Sequence, residues 1–133
     1  MAAATVAEDY RSCAGWTIGA DAQATPPCPD RPNCVAGTIA MGDGRPPGLA
    51  ELARAALAEP RSRIELHSER VLIASFRSRL FKFVDEAVFV RRRDGSIEYR
   101  CAACSGYYDF GVNARRMGRI LARLENHRAG LAR

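Results

Sequence analysis

Two segments of alternating apolar and polar residues, joined by Asp94-Gly95, constrain the fold of this chain more than any other feature. In the first segment, residues 84–93, Val88 and Val90 fall on one face. In the second segment, residues 96–104, one side carries Ile97, Tyr99, Cys101 and Ala103. An Asp-Gly pair between two alternating segments is a strong short-range signal of a β-hairpin. The sequence therefore predicts an antiparallel hairpin over residues 84–104.

Two helices and two more short strands are predicted around this hairpin. Apolar residues spaced three and four apart predict a helix that residues 46–48 open and Pro60 ends. Short strands are expected around residues 64–66 and 71–73. A last helix is expected to begin at Asn113, a favoured N-cap residue, and to carry one apolar face.

The order of these elements predicts an α+β fold. With 133 residues the chain has room for one core. Short connections require mainly antiparallel strands, because a parallel pair needs a long crossover. We therefore predict a single small domain over residues 26–128, with a roughly four-stranded sheet covered on one face by two helices. Its N-terminal third should be rich in loops, and residues 1–25 should form a loosely ordered lead-in.

The net charge of +5 comes almost entirely from arginine, since Lys82 is the only lysine. The densest basic run, Arg91-Arg92-Arg93, lies next to the predicted hairpin turn. There it can be a solvated turn or can contact a phosphate backbone. No recognised nucleic-acid module accompanies it, so we do not expect nucleic acid as a partner.

No segment of the sequence predicts a membrane span or an export signal. No apolar run approaches the roughly 20 residues that a membrane helix needs. Residues 1–10 lack the basic and apolar regions of a signal peptide. The chain as written is therefore expected to be cytoplasmic. The alternative is an exported or envelope-associated protein whose true start lies upstream.

The five cysteines leave several chemistries open. Cys28 and Cys34 enclose a proline-stiffened loop and could form a disulfide, remain free thiols or, less in keeping with zinc-ligand spacing, bind a metal. Cys101 and Cys104 form a C-x-x-C pair, which can indicate redox or zinc chemistry. Residues three apart on a strand point to opposite faces, which favours Cys101 in the core and Cys104 at the strand end. An odd count argues against an extensive disulfide framework, and no metal or cofactor is expected.

The segment from Gly106 to Arg116 is the candidate functional corner. Arg115 and Arg116 fall in the first turn of the predicted helix, where the helix dipole favours anions instead. Asp109, Asp85 or Glu86 could pair with these arginines in a structural ion-pair cluster. Alternatively, the arginines and the helix amides could hold an external phosphate or carboxylate. No complete catalytic set accompanies the corner, since the only histidines are His67 and His127.

Three sequence blocks resemble the signature of the family called domain of unknown function 1499. They are Cys28-Pro29-Asp30-Arg31-Pro32-Asn33-Cys34-Val35, Leu80-Phe81-Lys82-Phe83-Val84-Asp85-Glu86 and Gly106-Tyr107-Tyr108-Asp109-Phe110-Gly111-Val112-Asn113. The resemblance covers residues 28–124 and implies a mostly bacterial group, with many exported or membrane-attached members and no established activity. The chain departs from the family pattern at Ala36-Gly37, which stand where the family has two serines, at residues 101–104, where C-x-x-C replaces serine and arginine, and at Ala114.

These observations predict a non-catalytic domain that binds a small anionic ligand or a protein partner at the corner. The proposed ligand-binding residues also match family positions: Asp85, Arg100, Asp109, Asn113, Arg115 and Arg116. One alternative is an enzyme, either a thiol redox protein using Cys101 and Cys104 or a hydrolase using Asp85 and Asp109. A third hypothesis is a structural subunit of a cell-envelope assembly.

Overall fold

Seven strands and two helices make up the part of the chain that the computed structural model describes, residues 9–13, 15–40, 48–79, 83–106 and 109–131. In chain order they are β1 (Tyr10–Arg11), β2 (Thr17–Ile18), β3 (Cys34–Ile39), α1 (Leu49–Leu57), β4 (Ser62–His67), β5 (Val71–Arg77), β6 (Val84–Arg91), β7 (Ile97–Ala103) and α2 (Val112–Leu131). The predicted α+β class is confirmed. The Pro46-Pro47 helix opening, the 80–82 part of the second sequence block, and Tyr107 and Tyr108 lie outside the described residues.

The main sheet has five strands in the order β3-β7-β6-β5-β4, and every neighbouring pair is antiparallel. The predicted hairpin is confirmed as β6 and β7, with Arg91 opposite Ile97. The prediction of about four strands was wrong. A separate two-stranded sheet, β1 and β2, adds to the five strands.

In the main sheet, the strand that the sequence did not predict is β3, which pairs with β7 along its whole length. Its weak signal has a physical cause, because Gly37 interrupts the strand pattern and glycine is depleted in strands. The aromatic ring of Tyr99 crosses this position. A Cβ built on Gly37 would lie 2.6 Å from Cζ of Tyr99, so a larger residue would displace the ring.

The two helices pack on one face of the main sheet, as predicted. Phe76, Phe89 and Ile97 point to this face from three strands and are almost completely buried. Leu52 of α1 and Ile120 of α2 close the core over them, each fully buried. Burial of side chains this large contributes roughly 1.5–3 kcal/mol each to stability. The helix face therefore holds the main core.

The β1–β2 hairpin covers the opposite face of the sheet. Ile18 packs there on a second cluster made by alternate positions of β5 and β6, namely Val71, Ile73, Val88 and Val90. Residues 1–25 were expected to form a loosely ordered lead-in, and of these the structure describes 9–13 and 15–25. Strands of two residues leave no detectable period in the sequence, which is why this hairpin was not predicted.

Four of the five cysteines form two disulfides. Of the alternatives left open for Cys28 and Cys34, the structure has the disulfide, with a Cα–Cα distance of 5.7 Å. A second bridge, which the sequence did not predict, joins Cys13 to Cys104 across a separation of 91 residues. Cys101 is a free, fully buried thiol on the helix face, as predicted. The Cys13–Cys104 bridge attaches the β1–β2 hairpin to the end of β7.

Candidate functional site

The first turn of α2 is capped by Asp109. Its carboxylate accepts hydrogen bonds from the N–H groups of Gly111 (2.8 Å) and Asn113 (3.1 Å), and its carbonyl accepts one from Val112. Phe110 and Gly111 form the turn with φ values of 56° and 77°. The prediction that Asn113 is the N-cap was wrong. The helix begins one residue earlier, because a carboxylate two residues before Gly111 reaches the same amides.

Asn113 instead lies buried beneath the turn, with 1% of its surface exposed. Its side-chain amide donates to Asp109 Oδ2 at 2.9 Å and to the carbonyl of Asn33 at 3.4 Å. Its Oδ1 accepts from Arg116 and from the Cys101 thiol, both at 2.9 Å. Buried amides are costly unless they are hydrogen-bonded, and this one uses both its donor and its acceptor groups.

Arg116 forms an ion pair with Asp85 of β6, with Nη1 2.8 Å from Oδ2. The two side chains are 11% and 14% exposed, so the pair is largely shielded from solvent. The guanidinium also lies 4.6 Å above the centroid of the Phe76 ring. Together with the Asp109 cap, this pair supplies the negative charge that offsets arginine in the first helical turn.

Asp109 is held in its charged form. Burial alone would raise its pKa, but hydrogen bonds from Asn113 and from the backbone N–H of Gly111 outweigh burial and lower the pKa below its ordinary value. Asp109, Asn113, Arg116 and Asp85, which we call the α2 cluster, therefore form one continuous network. In this network the helix amides already have an internal anion.

A cleft of about 590 Å³ opens over the α2 cluster. Asp85, Asp109 and Arg116 contribute to its lining, together with the chain around Pro60 and the β5–β6 connection. Two exposed aromatic residues, Phe83 (58% exposed) and Phe110 (77%), also line it. The cleft thus combines charged groups in its wall with apolar surface that is open to solvent. We refer to it as the α2 cleft.

The six sequence-predicted binding residues divide between the two faces of the sheet. Asp85, Asp109 and Arg116 line the α2 cleft, and Asn113 lies beneath them. Arg115 is exposed and donates to the carbonyl of Phe110 at 2.8 Å. Arg100 is separated from all of them, because it lies on the opposite face of β7, across from Val88 and Ala36.

Arg100 contributes to a second cavity, of about 330 Å³. Trp16, Arg31 and Asn33 also line this cavity, as do Cys28 and Cys104, one cysteine from each disulfide. We call it the Arg100 cavity. Sequence reasoning missed both Trp16 and Arg31 as neighbours of Arg100. The only available signal was the strand alternation that places Arg100 opposite to Cys101.

The neighbouring carboxylates of β6, Asp85 and Glu86, lie on opposite faces of the sheet. Asp85 points to the helix side, whereas Glu86 is buried under the β1–β2 hairpin. Its carboxylate accepts from the Tyr10 hydroxyl at 2.6 Å, from the Ser12 hydroxyl and from the Cys13 N–H at 3.2 Å. Burial and this carboxylate both raise the pKa of Tyr10. The pair Asp85-Glu86 therefore does not form a two-carboxylate site.

One group of potential metal ligands lies among the described residues: Cys13, Glu86 and Cys104, whose ligand atoms are within 4.8 Å of one another. Both sulfur atoms belong to the Cys13–Cys104 disulfide. A cysteine binds a metal as its thiolate, and a disulfide has none, so this group does not fit a metal while the bridge is intact.

The two cysteines of the C-x-x-C pair, Cys101 and Cys104, also lie in different environments. Burial raises the pKa of the Cys101 thiol to about 12, although the nearby Arg116 acts in the opposite direction. The Cys104 sulfur is bonded to Cys13. Thiol exchange requires an accessible thiolate, which Cys101 does not provide.

Comparison with known proteins identifies the family. Residues 25–124 match the family described as "Protein of unknown function (DUF1499)", so the chain belongs to that family and the resemblance in the three sequence blocks is confirmed. No curated protein matches the chain in sequence. None of the described helices is long and apolar enough to cross a membrane.

Proposed function

We propose that this domain is a non-catalytic binding module whose α2 cleft takes a small anionic molecule with an apolar part. The observation that carries the proposal is the pairing of exposed aromatic surface, Phe83 and Phe110, with exposed arginines in one cleft of about 590 Å³. Clefts of about 300–1,000 Å³ that combine apolar walls with a few polar groups are typical small-molecule sites.

The preference for an anion follows from which charges in the cleft already have partners. Asp85 is paired with Arg116, and the Asp109 carboxylate accepts the helix amides. Glu59 is paired with Arg119 and Arg123, the latter at 2.5 Å. Burial opposes the charged form of Glu59, but hydrogen bonds from both arginines prevail and lower its pKa. All three acids of the cleft wall thus already have donors within the protein, arginines for Asp85 and Glu59 and amides for Asp109.

The positive charges that are not paired with these acids lie at the edge of the cleft. Arg61, Arg77 and Arg79 line it, are exposed and form no ion pair with a described residue. Exposed guanidinium groups suit the planar oxygens of carboxylate and phosphate. The α2 cluster then serves as a rigid floor, while the edge arginines and the two phenylalanines contact the ligand.

The geometry favours binding over catalysis at this site. A general base needs a carboxylate or imidazole with a pKa near the working pH and free access to a proton. Asp109 has a lowered pKa and two amide donors, and Asp85 is in an ion pair. Both residues of the hydrolase hypothesis therefore act as acceptors in the network that holds α2.

The two disulfides also bear on where the domain works. Disulfides persist in oxidising compartments and are rare in the bacterial cytoplasm. They support the exported or envelope-associated alternative over a cytoplasmic location. A binding role outside the cytoplasm agrees with both the bridges and the cleft.

Calorimetric titration with octyl phosphate at low salt tests the proposal, with neutral octyl glucoside as the control ligand. Arg79→Gln should weaken octyl phosphate binding several-fold, since it removes an edge charge without touching the α2 cluster. Phe110→Ser should weaken it by a similar factor through lost apolar contact. Arg93→Gln is the matched control, because it removes an equal charge at the exposed β6–β7 turn.

Unchanged binding in both cleft variants, or equal binding of octyl glucoside, contradicts the proposal. Equal weakening by Arg93→Gln also contradicts it, because only net charge would then matter. If wild-type protein binds no octyl phosphate, the small-molecule proposal fails and the exposed aromatics become candidates for contact with a protein partner.

A further inference from the structure

Arg100 is a buried guanidinium with an unmade hydrogen bond. Only 4% of the residue is exposed, and its Nε has no partner among the described residues. Its cross-strand neighbours, Val88 and Ala36, offer no side-chain acceptor. A buried donor without an acceptor costs about 1–3 kcal/mol, and more when it is charged. Arginine remains charged at any physiological pH, so deprotonation does not relieve this cost.

The nearby carboxylate does not remove this cost. Glu86 is close enough to favour the charged form of Arg100, but burial has the larger effect and lowers the pKa of Arg100. The oxygens of Glu86 accept instead from Tyr10, Ser12 and Cys13. Glu86 thus fastens the β1–β2 hairpin over the sheet and leaves the Arg100 Nε without an acceptor.

The space next to Arg100 is a cavity of about 330 Å³ that is partly open to solvent. Trp16 forms part of one wall and Arg31 contributes a second, exposed guanidinium. The Cys13–Cys104 bridge ties the hairpin that carries Trp16 to the end of β7. The Cys28–Cys34 bridge closes the loop that carries Arg31. Two covalent links therefore hold the walls in place before any ligand arrives, which lowers the entropic cost of binding.

We propose that the Arg100 cavity binds the carboxylate or phosphate group of a small molecule, with Arg100 contacting the oxyanion and Trp16 contacting an adjoining apolar part. Arg100 lines the cavity, so an oxyanion there can accept hydrogen bonds from its guanidinium group, and Arg31 adds a second positive charge at the same cavity. Tryptophan offers a large apolar face to the rest of the molecule. This site meets the α2 cleft only at Ala103, Ser105 and Gly106, which line both. Arg100, Arg31 and Trp16 line this site alone, so the proposal does not depend on the function proposed for the cleft.

Trp16 makes the test direct, because it is the only tryptophan in the chain. Its fluorescence should change saturably when benzoate or phenyl phosphate is titrated into the disulfide-bonded protein. The benzoate arm reports a carboxylate ligand, the phenyl phosphate arm reports a phosphate ligand, and either result supports the proposal. Neutral benzyl alcohol provides the shape control and should give no saturable change at the same concentrations.

Two variants test whether the change in Trp16 fluorescence comes from binding in the Arg100 cavity. Arg100→Gln should weaken the binding of benzoate and phenyl phosphate at least tenfold. Arg31→Gln should weaken it about threefold, and this position is exposed, so folding is not at risk. Arg79→Gln removes a charge from the α2 cleft and should leave this titration unchanged. Failure of the octyl phosphate experiment at the α2 cleft therefore does not affect this test, and the reverse also holds.

Three results overturn the proposal. One is the absence of a saturable change with both acids in the wild-type protein. Another is benzyl alcohol binding as tightly as benzoate, since the charge of Arg100 would then play no part. The third is unchanged affinity in Arg31→Gln together with unchanged affinity in Arg100→Gln. If Arg100→Gln does not fold, the result with Arg31→Gln decides alone.

Discussion

The α2 cluster and the Arg100 cavity place arginine in two opposite situations within one small domain. On the helix face, Arg116 has a carboxylate, an amide oxygen and an aromatic ring as partners. On the other face, Arg100 is equally buried, yet its Nε has no partner among the described residues. The comparison teaches that a buried arginine stabilises a fold only when the fold supplies its acceptors. An arginine without them is better placed to serve a ligand.

The largest expected effect on the free energy of unfolding comes from removing the Cys13–Cys104 bridge, which ties the β1–β2 hairpin to the end of β7 beside the Arg100 cavity. The double variant Cys13→Ser/Cys104→Ser releases the β1–β2 hairpin, and the loop-entropy estimate for a separation of 91 residues is about 4–5 kcal/mol. The matched double variant Cys28→Ser/Cys34→Ser opens a separation of only 6 residues, for which the same estimate is about 2 kcal/mol. Urea unfolding of both variants measures the difference. Equal losses would contradict the assignment of the long-range bridge as the main constraint on that face.

Arg116→Met should have the next largest effect, because it leaves Asp85 as a largely buried charge without its partner. We expect a loss of about 2–4 kcal/mol in the free energy of unfolding, somewhat below a fully buried pair. Arg115→Met on the same helical turn is the matched control and should change stability by less than about 0.5 kcal/mol, since Arg115 is exposed. Adding Asp85→Asn to Arg116→Met should restore part of the loss. Similar effects of Arg115→Met and Arg116→Met would refute the structural role of the ion pair.

The Asp109 cap predicts a smaller and pH-dependent effect. Because the folded-state pKa of Asp109 is lowered, its contribution is present above the unfolded pKa of about 4 and is lost as pH falls through the folded pKa. Asp109→Asn should cost about 1 kcal/mol at pH 7. As pH falls through the lowered folded-state pKa, the stabilities of the variant and the wild type should converge. Urea midpoints measured from pH 2.5 to pH 7 test this, and a constant difference over the range would count against the charged cap.

The sequence predicted the helix face well because that face is built from long, strongly patterned elements. The β6–β7 hairpin has a clear period and a clear turn, and α1 and α2 have apolar residues at helical spacing. The opposite face is assembled from two-residue strands and a loop segment, none of which leaves a period in the sequence. Its long-range bridge between Cys13 and Cys104 could not be derived from spacing alone.

The positions of the candidate site residues were likewise predicted correctly only in part. The charge pattern correctly indicated that Asp85, Asp109 and Arg116 belong together, and structural ion pairing was one of its two alternatives. Asn113 was correctly placed at this corner but as a cap instead of a buried link. Arg100 was grouped with them on charge and family position, although the alternation of β7 already placed it opposite to Cys101. In that case the strand period was a better guide than the residue type.

A small stability effect is expected at Arg100. Arg100→Gln removes a buried charge with an unpartnered Nε, which favours the variant, but it also takes a favourable positive charge away from buried Glu86, so the two effects should largely offset each other. Glu86 keeps its neutral donors from Tyr10, Ser12 and the Cys13 N–H in this variant. Thermal melting of ligand-free protein measures the change. A clear drop in the melting temperature would mean that Arg100 has a structural partner.

The most direct measurement is therefore the unfolding free energy of Arg116→Gln and Arg100→Gln, determined side by side in urea on ligand-free, disulfide-bonded protein. Both variants remove one buried guanidinium and introduce the same amide. The account predicts a loss of about 2–4 kcal/mol for Arg116→Gln and a much smaller loss for Arg100→Gln. Equal losses at the two positions would contradict it, because the two faces would then treat their arginines alike.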